Sequence, residues 1–172
     1  MTINELHIQL DLQPENKINI LKDIAQECDE EYLFVDSSNG HCYLFDKNGN
    51  EDDIKKIKSI RNYEFYRFKN LKSIIIPDSV KWIEDGAFAY CENLTSIVIP
   101  DSVKSIGNVT FDWCTNLKSI IIPDSVKSIG MDAFYYCKNL KSLSFKGKTM
   151  DQVEEMENYP FGIEDESIIR CI

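Results

Sequence analysis

The sequence has few glycines and prolines, and its apolar runs are short. Only 7 of the 172 residues are glycine and 5 are proline, and the glycines form no glycine-rich phosphate-binding loop. Apolar runs such as Ile74–Ile76 are a few residues long, whereas a membrane span needs about 20 residues. The first residues lack the basic and apolar segments of a secretory signal. We therefore expect no membrane span and a cytoplasmic location, or a surface or secreted one if an export signal has been removed.

Basic residues are also scarce. Lys and Arg total 19 against 29 Asp and Glu, which gives a net charge of −10. Proteins that hold nucleic-acid phosphates by counterion release need a basic surface, so we expect no direct nucleic-acid binding. With 43% hydrophobic and 28% charged residues, the composition is that of a folded globular chain.

The sequence contains almost no motif of the kind that catalytic or metal-binding residues form. The two histidines, His7 and His41, lie in no nucleophile or metal motif. Residues 46–52 resemble a calcium loop in their alternating oxygens, but Gly49 and Ile57 stand at the wrong positions for the required glycine and bidentate glutamate. A plain turn is favoured, and the sequence predicts no enzyme activity, no cofactor and no metal.

A 23-residue repeat organises the middle of the chain. Three full copies occupy residues 70–92, 93–115 and 116–138, and they are identical at 13 of 23 positions. A fourth copy begins at Asn139, and a degenerate half repeat precedes the first full one. This pattern predicts a solenoid of about four coils, in which each coil packs only against its neighbours.

The apolar positions of the repeat predict a stacked, β-rich core. The β-branched residues before each proline favour a short strand, proline ends it, and Val-Lys-x-Ile favours a second extended piece. Ala-Phe-x-x-Cys is typical of a brief helical or 3₁₀ turn. Stacking in register places identical side chains over one another. The inward set of the first copy is Leu71, Ile74, Ile76, Val80, Ile83, Phe88 and Cys91.

One cysteine recurs in every full copy, at Cys91, Cys114 and Cys137. Their stacking would bring the backbones close enough for disulfide or metal chemistry. An in-register column, however, points all Cβ atoms the same way, and no Cys-x-x-Cys pair occurs. A buried, reduced ladder is the favoured interpretation.

An asparagine opens each copy, at Asn70, Asn93, Asn116 and Asn139. A polar binding site is one interpretation. A ladder of hydrogen bonds that satisfies backbone groups of the turns is favoured.

The first 56 residues do not follow the repeat. Alternating apolar residues predict a strand at 6–12, and an apolar stripe predicts a helix at 14–28. Residues 32–35 and 42–45 predict a β-hairpin. We expect residues 1–56 to form a βαββ module that covers the first coil, because an open solenoid end exposes a strand edge.

The repeat resembles the BspA-type leucine-rich repeat, whose pattern is approximately L-x-x-I-x-I-P-x-x-V-x-x-I-G-x-x-A-F-x-x-C. The resemblance covers residues 70–138 fully and the flanking residues more weakly, and it departs at Glu84 and Thr110, where the pattern has Gly and Ala. It implies an α/β, β-rich solenoid, with repeats over 57–145 coiled in a right-handed sense, and a closing cap at 146–172 made of a short helix and an end strand. It also implies a scaffold for adhesion or protein recognition, often bacterial and at the cell surface.

Two outward-facing surfaces are candidate protein-binding sites. An aliphatic row beside a basic column follows the first strand of each coil, and such an exposed row favours a contact surface; β-propensity or cover by the N-terminal module are the alternatives. This strand face comprises Lys72, Ile75, Thr95, Val98, Lys118, Ile121 and Lys141. The second candidate is an aromatic set, for which partly buried packing is the alternative. It comprises Trp82, Tyr90, Trp113, Tyr135 and Tyr136.

The sequence thus predicts a non-enzymatic module that binds another protein through its repeat surface. The alternative is an intracellular, phage-type acidic inhibitor that blocks a basic nucleic-acid-binding protein, which the charge of −10 would suit. No feature of the sequence indicates an oligomeric state.

Overall fold

The computed structural model describes most of the repeat region and the C-terminal segment with side chains. Only the backbone is described in two N-terminal strands and at positions 73 and 75. The described residues are 32–36, 41–45, 58–69, 71–76 and 78–172. Several predictions lie outside them: the strand at 6–12, the helix at 14–28, the segment at 46–52, and residues 57, 70 and 77.

The strands in the described part of the chain are short, and those of the repeats are parallel. They are β1 (Tyr32–Asp36), β2 (His41–Phe45), β3 (Ser59–Ile60), β4 (Ser73–Ile75), β5 (Trp82–Ile83), β6 (Ser96–Val98), β7 (Ser105–Ile106), β8 (Ser119–Ile122), β9 (Ser128–Ile129), β10 (Ser142–Phe145) and β11 (Ile169–Cys171). The C-terminal segment adds one α-helix, α1 (Met150–Glu154), and a 3₁₀ turn, Glu166–Ile168.

Each coil contributes one strand to each of two rows. The Val-Lys-x-Ile strands form one parallel sheet in the order β3-β5-β7-β9. The strands that end near each proline form the other row, in which β4 pairs with β6 and β8 pairs with β10. These two pairs are adjacent, since Lys118 N–H donates to the Thr95 carbonyl oxygen at 3.5 Å. The predicted solenoid is confirmed.

The core is a set of columns in which equal side chains lie over one another. All seven inward residues predicted for the first copy are buried. The Phe88 and Phe111 rings lie 5.5 Å apart and within 2° of parallel. Phe65 continues this stack on one side at 5.2 Å and Phe134 on the other at 5.4 Å. The repeat period places Ile60, Phe65 and Phe68 on the Ile, Phe and Cys columns of the degenerate half repeat. All three are buried, so this register is confirmed.

The Ala-Phe-x-x-Cys segment differs from the predicted helical or 3₁₀ turn. The segment and the residue before it have left-handed backbone at two positions of the repeat, such as Gly86 at φ 60° and Tyr90 at φ 62°. The N–H groups of Ala89 and Cys91 close turns onto Gly86 and Phe88 at 2.9 and 3.1 Å. A left-handed residue cannot continue a right-handed helix, so the chain forms consecutive turns.

Backbone hydrogen bonds run in opposite directions on the two sides of the coil. In the strands, N–H groups donate to the preceding coil, as Lys104 does to the Lys81 carbonyl oxygen at 2.7 Å. In the turns, N–H groups donate to the following coil, as Phe88 does to the Thr110 carbonyl oxygen at 2.9 Å. Both sides of each coil therefore bond to a neighbour through the backbone.

The described elements that flank the repeats are a hairpin on the N-terminal side and a helix and a strand on the C-terminal side. Strands β1 and β2 pair antiparallel as the expected hairpin, and Cα atoms of β2 lie within 8 Å of those of β4. After the last coil, Thr149 caps α1 in a capping box with Gln152, and β11 pairs parallel with β10. The division of the chain at residues 56 and 145 and the capping role of both ends stay predictions.

Candidate functional site

The strand face presents an aliphatic row to solvent. Val98 and Ile121 are 67% and 52% exposed, whereas their strand neighbours Ile97 and Ile120 are buried. Ser144 takes the same position in the last coil and is buried. The side chain of Ile75 lies outside the described residues. The row is therefore apolar in two adjacent coils and ends at the last one.

A basic column accompanies this row. Lys72, Thr95, Lys118 and Lys141 are all exposed. Their backbones form a ladder in which Thr95 N–H donates to Lys72 at 2.9 Å and Lys141 N–H donates to Lys118 at 2.9 Å. Neighbouring members are thus one strand spacing apart, about 4.8 Å. No lysine of this column forms an ion pair with another residue of the described part of the chain, so its positive charge is open to a partner.

The aromatic residues separate into a stack and an isolated tryptophan. Tyr90, Trp113 and Tyr136 are half-buried and stacked, with ring centroids 5.6 and 4.3 Å apart. Tyr135 is exposed and tilts against Tyr136 at 5.4 Å. Trp82 is 47% exposed on β5, in the other strand row. The stack is thus partly buried, as the packing alternative expects, and its role as a contact surface stays a prediction.

Cations lie over both ends of the aromatic stack. The Arg67 guanidinium is 5.4 Å from the Tyr90 ring centroid, and the Lys138 ammonium is 4.2 Å from that of Tyr136. Cation–π contacts at such distances add to the packing of the stack.

The repeated cysteines form the predicted buried ladder. Each Sγ lies 3.0 to 3.2 Å from a phenylalanine carbonyl oxygen of the preceding coil, as Cys91 does with Phe65. Burial raises the pKa of Cys91 and Cys137 to about 12, and burial with the neighbouring thiols holds the pKa of Cys114 well above its usual value. A protonated, buried thiol is a poor nucleophile and metal ligand, so the ladder acts as packing.

The asparagine column forms the predicted backbone ladder in each described copy. Asn93 Nδ2 donates to the Lys69 carbonyl oxygen at 2.7 Å, and Asn116 and Asn139 donate to the preceding coil at 2.8 Å each. These side chains therefore join neighbouring coils through their Nδ2 atoms.

A second side-chain ladder was not predicted. Asn62 accepts from the Asp85 N–H at 3.0 Å, Asp85 accepts from the Asn108 N–H at 2.7 Å, and Asn108 accepts from the Met131 N–H at 2.8 Å. The signal was present as an Asn or Asp every 23 residues, but the column changes residue type in each copy. The ladder ends at Met131, whose side chain has no oxygen to accept a hydrogen bond.

One carboxyl group on the turn side of the coils is only partly hydrogen-bonded. Asp112 is half-buried, and its Oδ1 has no hydrogen-bond partner among the described residues. Burial, together with the neighbouring Asp132, raises the pKa of Asp112 from 3.8 to about 6. Among the described residues no group of three His, Cys, Asp or Glu side chains is arranged to hold a metal ion, and no helix is long and apolar enough to cross a membrane.

Comparison with known proteins gives a family and a set of similar folds. The family profile described as "BspA type Leucine rich repeat region" matches residues 50–164 in six copies, a longer array than the four coils predicted from sequence identity. No curated protein sequence matches this chain.

Three solved structures share the fold. A leucine-rich repeat protein of T. pallidum (TpLRR) is 22% identical with a TM-score of 0.52, over 66% of this chain and 57% of its own. The pneumococcal vaccine antigen PcpA is 21% identical with a TM-score of 0.53, over 81% of this chain and 34% of its own. A leucine-rich repeat protein of Bacteroides ovatus is 26% identical with a TM-score of 0.50, over 84% of this chain and 40% of its own. The match thus spans between a third and three fifths of the length of these proteins.

Proposed function

This chain belongs to the BspA-type leucine-rich repeat family, and we propose that it is a non-enzymatic module that binds another protein through its strand face. The observation that carries this proposal is the exposed pair Val98 and Ile121, in register on adjacent coils. A sheet face that is unpaired with a helix normally carries polar side chains in water. An aliphatic row there favours contact with a partner.

The basic column gives the proposed surface a second component. Lys72, Lys118 and Lys141 flank the aliphatic row and have no ion-pair partner among the described residues. An apolar centre with a charged rim is the usual anatomy of a protein interface. Positive charge at the rim of a chain whose net charge is −10 selects for a partner with an acidic contact patch.

The acidic-inhibitor alternative has less support. A surface that occludes a basic protein should be acidic, but the described strand face carries lysines. Binding by charge mimicry would also weaken steeply as salt rises, whereas an interface centred on Val98 and Ile121 would keep most of its affinity.

The proposal is tested by the double variant Val98→Lys/Ile121→Lys. Met131→Lys is the control, because Met131 is 60% exposed and lies on a turn away from the strand face. Wild type and both variants are immobilised and exposed to a lysate of the organism that encodes the chain. Captured proteins are quantified by mass spectrometry. The affinity of the enriched partner for each form is then measured with purified components.

We expect the double variant to bind the partner at least about tenfold more weakly, which corresponds to about 1.4 kcal/mol. The Met131→Lys control should bind as wild type does. Equal affinity of wild type and the double variant, with unchanged circular dichroism, would exclude the strand face.

A further inference from the structure

The ladder of turn hydrogen bonds is open at the last coil. The N–H groups of Arg67, Tyr90 and Trp113 donate to a carbonyl oxygen of the next coil at 2.9, 2.7 and 3.0 Å. Tyr136 is the next member of this column, and it has the same left-handed conformation, with φ 56° against 57° for Trp113. Its N–H has no acceptor among the described residues. The Tyr136 N–H is therefore a backbone donor without an acceptor in the described chain, at the end of the repeat array.

The position of the closing segment, residues 155–172, explains why Tyr136 N–H has no acceptor. Phe134 N–H, two residues earlier, donates to the Phe161 carbonyl oxygen at 3.0 Å, so the segment first follows the coil. Gly162 then lies so close to the turn that an added Cβ would be 2.9 Å from Asp132 Cα. From Ile163 to Ile168 the segment makes no backbone hydrogen bond to the described coil, and Tyr136 and Ile163 both line the gap that results.

That gap is a cavity of about 320 Å³, a size within the range of small-molecule sites. Leu140, Ile163 and Ile168 give it an apolar part, and Leu140 and Ile163 are themselves buried. No helix, strand or side chain of the described chain fills it. The cavity thus combines an apolar surface with an unsatisfied donor.

Charged groups of both signs complete the lining. Lys138 lies on one side, with its ammonium over the Tyr136 ring. Glu164 and Asp165 lie on the closing segment. Lys138 and Glu164 form no ion pair within the described part of the chain, and Asp165 accepts a hydrogen bond from Ser167 N–H at its Oδ1, at 3.1 Å. Both a cationic and an anionic ligand group would find a partner.

We propose that this cavity binds a free α-amino acid with an apolar side chain. The ligand carboxylate accepts from Tyr136 N–H and pairs with Lys138. The ligand ammonium pairs with Glu164 or Asp165, and the apolar side chain packs on Leu140, Ile163 and Ile168. A ligand with one charge would satisfy only one side of the lining, so the zwitterion is the complementary form.

The test uses amide NMR of the full chain with three ligands that share the isobutyl side chain: L-leucine, 4-methylpentanoate, which lacks the ammonium, and 3-methylbutylamine, which lacks the carboxylate. We expect L-leucine to shift the Tyr136 and Ile163 amide signals with a dissociation constant on the order of 1 mM. Each one-charge analogue should bind at least about tenfold more weakly. Equal binding of 4-methylpentanoate, or no shift at Tyr136 with L-leucine, would overturn the proposal.

Amide hydrogen exchange tests, without any ligand, whether Tyr136 N–H lacks an acceptor. Tyr136 N–H should exchange much faster than Trp113 N–H, and L-leucine should slow it. Comparable protection of the two amides would show that Tyr136 N–H is already bonded and would remove the basis of the site.

A pair of lysine variants tests the charge contact. Lys138→Gln should weaken L-leucine binding about tenfold. Lys146→Gln removes the same charge from an exposed position outside the cavity and should leave the affinity unchanged. An equal loss in both variants, or no loss in Lys138→Gln, would exclude the proposed role of Lys138. Neither lysine lies on the strand face, so these outcomes are independent of protein capture there.

Discussion

The Asn116 Nδ2 atom donates a hydrogen bond of 2.8 Å to the Glu92 carbonyl oxygen, 24 residues earlier in the preceding coil. A backbone acceptor at a turn is thereby satisfied by a side chain from the next coil. The same bond recurs at Asn93 and Asn139.

We expect Asn116→Ala to destabilise the protein by about 1 kcal/mol, the net contribution of one such hydrogen bond. Urea unfolding followed by circular dichroism measures the change. Ser119→Ala is the control, because Ser119 is exposed on a neighbouring strand. A loss no larger than that of the control would show that the ladder does not join the coils.

Val109 has a conformation that a β-branched residue seldom adopts. Its φ is 46°, in the column that holds Gly86 and Asp132 in the neighbouring copies. Left-handed backbone costs an ordinary residue about 1–2 kcal/mol, and asparagine tolerates it better. Val109→Asn should therefore stabilise the protein by about 0.5–1 kcal/mol in urea unfolding.

The same substitution at Val98 is the matched control. Val98 lies in β6, where asparagine is disfavoured, so Val98→Asn should not stabilise. Destabilisation by Val109→Asn would mean that side-chain packing at residue 109 outweighs the backbone strain.

The carboxyl group of Asp112 makes stability depend on pH. Its pKa rises from 3.8 to about 6 because of burial and the nearby Asp132. The folded state therefore binds more protons than the unfolded state between these values, and stability falls as pH rises from about 4 to about 6. Since the group is only half-buried, solvent screening reduces the effect to about 1 kcal/mol.

Asp112→Asn should remove this part of the pH dependence and stabilise the protein at pH 7. Unfolding free energies at about pH 4 and pH 7, compared between wild type and variant, measure the effect. The control is Asp101→Asn, which removes an equal charge from an exposed turn. An identical pH profile for wild type and Asp112→Asn would contradict the raised pKa.

The buried cysteines should be unreactive in the folded protein. Because the pKa of Cys91 and Cys137 is raised to about 12, little thiolate exists at neutral pH. We expect iodoacetamide to label Cys91, Cys114 and Cys137 only after unfolding, as read by peptide mass spectrometry. Cys171 is only partly buried and should react faster. A Cys91–Cys114 disulfide in the native protein would disprove the reduced ladder.

The periodic sequence was sufficient to predict the core. A fixed period of 23 residues requires equivalent side chains to stack, and the near-parallel Phe88 and Phe111 rings follow from that alone. The exposed positions of Val98 and Ile121 also followed, because side chains alternate between the two faces of a strand.

Features that depend on backbone conformation or on the chain ends were not predictable in this way. Tyr90 and Trp113 have positive φ, and neither residue type signals a left-handed turn as glycine does. The open Tyr136 N–H depends on where the closing segment docks after Gly162, and no repeat copy specifies that position.

The opposed hydrogen-bond directions have an electrostatic consequence for the length of the array. Peptide dipoles in an α-helix all point one way and leave partial charges at its two ends. Here Lys104 N–H points towards the preceding coil and Phe88 N–H towards the following one, so the peptide dipoles of the strand and turn sides oppose each other along the axis. Insertion of whole coils can therefore lengthen the solenoid without an accumulating macrodipole.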